Sequence, residues 1–99
     1  MKKIYRQGDI ALIPVKEFPA NLNEKDKVIA VGESTNHSHR FESEQVSVFT
    51  DGKQQFVNVK SPSRLIHEEH HELEIPSGKY KVVLQKEFDI SQQVRQVLD

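Results

Sequence analysis

The dipeptide Asp51-Gly52, set between residues 46–50 and 54–59, most constrains what this chain can fold into. Asp-Gly accepts the positive backbone angles of a tight hairpin, and the flanks carry the valines and phenylalanines that suit a pleated sheet. The rest of the chain follows the same rule of short apolar stretches divided by turn residues. Asp9-Ile10-Ala11-Leu12-Ile13-Pro14-Val15 is almost continuously apolar, as in a strand covered on both faces. Pro14 cannot donate to a ladder, so that run should meet a bulge or a sheet edge there. Residues 18–23 read as a loop, and residues 27–31 resume strand character before Gly32. Ser61-Pro62-Ser63 breaks the chain, and Leu65-Ile66-His67 starts another extended piece. His71, Leu73 and Ile75 then alternate with Glu72 and Glu74.

Pro76-Ser77-Gly78 turns into the clearest strand. Tyr80, Val82, Leu84, Lys86 and Phe88 share one face, with Lys79, Lys81, Gln85 and Glu87 mostly on the other. In the tail, Ile90, Val94, Val97 and Leu98 have helical spacing behind Ser91 as an N-cap, though the segment is also short enough for a strand. The expectation is one domain over residues 1–99, mainly β. It should be a compact small barrel or sandwich of short antiparallel strands, with a short C-terminal helix as one reading of the tail.

Composition narrows the function. Fourteen basic against fifteen acidic residues leave a net charge of −1, which argues against a partner made of long nucleic acid. A ligand with few phosphates, met by one or two local cations, is compatible. There is no cysteine, so disulfides and thiolate metal sites are excluded. No apolar run approaches the ~20 residues of a membrane helix. Met1 to Gln7 lacks the apolar centre of a signal peptide, so a cytoplasmic location is expected and no membrane partner. Only 35% of the residues are hydrophobic, so the core should be thin and open to completion by self-association.

Chemistry concentrates in five histidines, all in two short clusters: Thr35-Asn36-His37-Ser38-His39-Arg40 and His67-Glu68-Glu69-His70-His71-Glu72. Imidazole exchanges protons near neutral pH, so two clusters meeting in the fold could form a metal site or an acid–base pair. In a strand, His37 and His39 point to one face, while Arg40 offers a planar fork to phosphate oxygens. The plainer reading of the first cluster is a polar turn with incidental histidines. In the second, His67 and His71 have the spacing of a helical zinc-protease pair. Pro62 and Pro76 leave no room for the helix that motif needs, so the match is coincidental. Glu68, Glu69, Glu72 and Glu74 are most simply a solvated face, though one of them could orient a neighbouring imidazole. A cupin reading has His37, His39, Glu44 and Gly52 for its first motif, but Lys81 stands where the second would place a histidine.

Metal-free cleavage of a ribose phosphodiester needs a base for the 2′-hydroxyl, an acid for the departing 5′ oxygen and positive charge for the phosphorane. One histidine from each cluster plus Arg40 supplies that set. His37 and His67 are the expected pair, with base and acid unassigned. His39 and His70 stand in reserve, Arg40 is the phosphate contact, and no cofactor or metal is required.

Whole-chain features extend this reading. Arg6-Gln7-Gly8-Asp9-Ile10, Gly32-Glu33-x-Thr35-x-His37-x-His39-Arg40 and His67-Glu68-Glu69-His70 occur in that order. Pro76-x-Gly78-x-Tyr80-x-Val82-x-x-Gln85-x-Glu87-Phe88 follows. The combination resembles small proteins of phages and bacterial mobile elements, and with them the small histidine-pair ring nucleases of type III CRISPR systems and phages. Asn36 stands where that pattern has glycine, and His71 lies outside it. The resemblance implies metal-free degradation of cyclic oligoadenylate messengers to linear products with 2′,3′-cyclic phosphates, on a fold outside the established ring-nuclease scaffolds. It implies a bacterial cell, as a host shutting off type III signalling or as a phage blunting it. Thr35, Tyr80 and Gln85 would contact the substrate, although Tyr80 is more simply core. A two-fold messenger ring suits a homodimer. The rivals are a protein that sequesters nucleotide without cutting it, a cupin-like metal-binding β-barrel, and a structural phage protein.

Overall fold

Alternation of apolar and polar side chains resolves into ten antiparallel strands among residues 3–31 and 37–84, the residues that the computed structural model describes. They are β1 (Tyr5–Gln7), β2 (Ile10–Pro14), β3 (Asn23–Lys25), β4 (Val28–Val31), β5 (Ser38–Phe41), β6 (Val46–Thr50), β7 (Gln55–Val59), β8 (Ser63–Ile66), β9 (Leu73–Ile75) and β10 (Gly78–Leu84). No described residue is helical. Six strands form one sheet in the order β1-β2-β10-β7-β6-β3, and four form a second in the order β4-β5-β8-β9. The expected all-β sandwich of short antiparallel strands is the fold. Residues 85–99, which include Gln85 and the tail read as helix or strand, lie outside the described residues, as does Thr35.

The core is where the two sheets face each other. Ile10, Leu12, Val46, Val48, Val57, Val59, Tyr80 and Val82 come from the larger sheet; Ile29, Phe41, Leu65 and Ile75 come from the smaller. Every second residue of these strands points inward, which is why the period-two pattern was readable. β2 departs furthest from that alternation, as the sequence announces, since Ile10, Ala11, Leu12 and Ile13 are all fully buried. Ile10 and Leu12 enter the core, while Ala11 and Ile13 pack with Val83 and Ile4 in a separate cluster.

Pro14 lies in an interior strand, but its missing N–H costs nothing there. Val15 donates its N–H to Lys79 O at 2.9 Å, so the adjacent residue's backbone faces the β1 side. The β1 ladder has already ended at the Tyr5–Leu12 pair. Locally Pro14 is therefore at an edge. The hairpin at Asp51-Gly52 also forms, with Thr50 opposite Gln55. Its connection is longer than a two-residue turn, because Asp51 Oδ1 accepts from Lys53 N–H at 2.8 Å and from Gln54 N–H at 2.7 Å. Gly52 takes a φ of 96° in this loop.

Candidate functional site: a histidine cluster under the β1–β2 turn

Alternation along β5 decides which side chains of the first cluster meet the second. His39 and Phe41 are buried on the inner face, while Ser38 and Arg40 project from the other. His37, just before the strand, shares the side of His39. β8 ends at Ile66, and the connection to β9 delivers His67 and His70 to the same place. Ring centroids are 4.3 Å apart for His39–His67, 4.6 Å for His67–His70, 5.7 Å for His39–His70 and 5.8 Å for His37–His67. Four imidazoles thus form one contiguous group. His71 is exposed, and only its backbone carbonyl takes part.

The turn between β1 and β2 roofs this group. Gly8 and Asp9 connect Gln7 to its ladder partner Ile10, and Gly8 has a φ of 60°, as the first central residue of a type II′ turn requires. Close approach makes the same demand. A Cβ on Gly8 would lie 2.7 Å from His70 Nε2 and 3.1 Å from His39 Cε1. Asp9 Oδ1 lies 3.4 Å from His39 Nε2.

Hydrogen-bond partners assign the protons. Gln7 is buried and donates its side-chain N–H groups to Leu65 O at 2.9 Å and His71 O at 3.0 Å. Its oxygen therefore faces His39 Nδ1, 2.8 Å away, so Nδ1 donates and in neutral His39 the lone pair is on Nε2, beside Asp9 Oδ1. His67 is the mirror case. Its Nδ1 accepts the Glu69 N–H at 3.0 Å, so the proton of neutral His67 is on Nε2. His37 Nδ1 is 3.1 Å from Glu69 Oε1, an acceptor only, so His37 Nδ1 carries a proton. Burial, then the neighbouring His67, holds the His39 pKa below the ordinary imidazole value, with Asp9 opposing.

Arg40 is differently placed from the phosphate contact expected of it. Its Nη1 meets Glu68 Oε2 at 2.7 Å and Ser38 O at 3.0 Å, and its Nε meets Glu42 Oε2 at 3.1 Å. Two carboxylates thus already hold the guanidinium, on the face of β5 opposite His39. Glu68 is pulled down to about 2, first by the Ser38 N–H and then by its own N–H and Arg40. The acidic run after β8 is therefore not only a solvated face: Glu68 and Glu69 tie the two histidine segments together. Tyr80, expected to contact substrate, is in the core, and its hydroxyl donates to Pro76 O at 2.7 Å. It pairs with Pro14, at the end of β2 far from the Gly8-Asp9 turn. The zinc-protease spacing of His67 and His71 lies on no helix, and Glu44 of the cupin reading is in the exposed turn after β5.

Gln7, Gly8 and Asp9 are the site residues that sequence reasoning missed. Gln7 and Asp9 read as ordinary polar positions beside a turn, and only the packing of β1 against β8 and β9 brings them to the histidines. The one available signal was a Gly-Asp turn within the shared Arg6-to-Ile10 motif.

Fold and site together define a small β-sandwich with a histidine cluster at one end. The chain matches the family described as a domain of unknown function (DUF8820) over residues 6–85, and it belongs to that family. No curated protein and no solved structure matches it.

Proposed function

We propose that this protein is a metal-independent phosphodiesterase that opens cyclic oligoadenylates. The observation that carries the reading is the opposite tautomers of two touching imidazoles, His39 with its lone pair on Nε2 and His67 with an Nε2–H. A phosphodiester set against the Nε2 edges of the pair would meet a proton acceptor and a hydrogen-bond donor at once. His39 Nε2 takes the 2′-hydroxyl proton, and the 2′ oxygen bonds to phosphorus. His67 Nε2–H supports a non-bridging oxygen of the phosphorane. His37 enters the step as the imidazolium, keeps its Nδ1–H on Glu69, and gives its Nε2 proton to the 5′ oxygen as the P–O5′ bond breaks, which leaves it neutral. The products are a 2′,3′-cyclic phosphate and a 5′-hydroxyl. Asp9 beside His39 Nε2 stabilises the imidazolium that the first proton transfer creates.

This assignment moves His39 from reserve to general base and gives His37 the acid role. Arg40 acts through Glu68, by holding the Ser38 end of β5 against the β8–β9 connection. The choice of cyclic oligoadenylate rests on the ring-nuclease resemblance. Removing that messenger would silence type III CRISPR signalling, in a host or on behalf of a phage. Incubation with cyclic tetra- and hexa-adenylate in EDTA, followed by mass analysis, tests the reading. Linear products ending in 2′,3′-cyclic phosphate are expected. Intact ligand returned after denaturing the protein would replace the enzyme with a sequestering protein, and cleavage that returns only with added metal would replace the mechanism.

A further inference from the structure

We propose that His39, His70, His67 and Asp9 also form a binding site for a late first-row divalent cation, for which Zn²⁺ is the probe. One nitrogen from each of the three histidines lies within 4.8 Å of the others. Asp9 Oδ1 adds a carboxylate 3.4 Å from His39 Nε2. Three imidazoles and one carboxylate suit zinc and its neighbours, whereas calcium and magnesium require oxygen cages. His39 is already prepared as a ligand. Its Nε2 lone pair faces the cluster, while its Nδ1–H donates to an amide oxygen that Leu65 and His71 hold in place. That is the outer-shell bond that ligating histidines almost always make.

Closing the site takes little movement of the scaffold. Zinc–nitrogen bonds of ~2.0–2.1 Å place tetrahedral ligand atoms roughly 3.3 Å apart, closer than the cluster stands. His70 is exposed on the connection between β8 and β9, so it can move toward the buried His39. The bare Gly8 leaves the space beside His70 Nε2 that any side chain would fill. His67 joins only when its proton shifts from Nε2 to Nδ1, which displaces the Glu69 N–H. His39, His70 and Asp9 are therefore the first ligands.

The metal would occupy the lone pair that the proposed reaction uses as base, so occupancy switches cleavage off. This second half rests on the phosphodiesterase reading; the binding site does not. Isothermal titration of the chelator-stripped full chain with Zn²⁺, without nucleotide, should give one ion per chain. His70→Ala and Asp9→Asn should each weaken binding by about tenfold or more, and Gln7→Ala, which removes the outer-shell acceptor, by roughly 10–100-fold. Co²⁺ in place of Zn²⁺ should give the visible spectrum of a four-coordinate nitrogen–oxygen site, lost in His70→Ala. His70 is exposed, so that variant separates ligand loss from misfolding. Absent binding, or binding unchanged in His70→Ala and Asp9→Asn, would overturn the site whatever the activity in EDTA. Stoichiometric binding with cleavage undiminished by Zn²⁺ would overturn the competition.

Discussion

At the scale of single residues, the cluster depends on side chains that are not histidines. Gln7 satisfies two carbonyls and one imidazole at once. Gln7→Ala leaves those buried groups without partners, and a loss of ~1–3 kcal/mol is expected in urea denaturation. Gly8→Ala combines a φ of 60° with a Cβ contact of 2.7 Å to His70 Nε2. It should lower stability by about 1–2 kcal/mol and displace His70, seen as a shift of the His70 ring resonances in NMR. His39→Gln and His67→Gln should each slow cleavage by roughly 10²–10⁴-fold with the far-ultraviolet spectrum unchanged. Near-normal rates in both would reject the assigned roles. The histidines were legible because imidazoles are few and clustered; the amide and carboxylate that set their protons look like any polar residue in a strand or turn.

Elements show a clearer correspondence. β2 is read directly from its unbroken apolar run, and β6, β7 and β10 from period two. β3 escaped notice because Asn23-Glu24-Lys25 has no apolar residue; it joins the sheet as an edge strand through pairing with Thr50, Phe49 and Val48 of β6. The β6–β7 turn makes a prediction of its own. Backbone N–H groups of Gln54 and Lys53 hold the Asp51 carboxyl below its usual value of 3.8. A carboxyl depressed in the folded state adds stability that is complete above the unfolded value and is lost as pH falls through the folded one. Asp51→Ala should therefore be less stable than the parent at about pH 6, with the gap narrowing toward about pH 3, as measured by urea melts. A gap independent of pH would mean that the carboxylate charge contributes nothing to the turn.

For the whole molecule, the meeting of two sheets is the organising fact. Leu65 is fully buried between them, one residue from the inner end of β8 and two from His67. Leu65→Ala should cost about 2–5 kcal/mol and loosen the histidine cluster with the core. Among the described residues, no helix is long and apolar enough to cross a membrane. A two-fold nucleotide ring would be matched by a symmetric pair of subunits, each presenting one histidine cluster. Sedimentation with the ligand bound should then report a dimer, and a monomeric mass would confine the reaction to one site per ring.

Strand periodicity, the Asp-Gly and Pro-Ser-Gly turns and the pairing of His37 with His39 on one face are local properties, written in residues a few positions apart. That is why the all-β architecture and the identity of the histidines could be read from the chain alone. Proton positions are not local. His39 takes its tautomer from a residue 32 positions away, and that residue is oriented by a carbonyl 58 positions from it. Only the packing of one sheet on the other brings those groups within hydrogen-bonding distance, and so only the tertiary structure decided which imidazole holds a lone pair and which holds a proton.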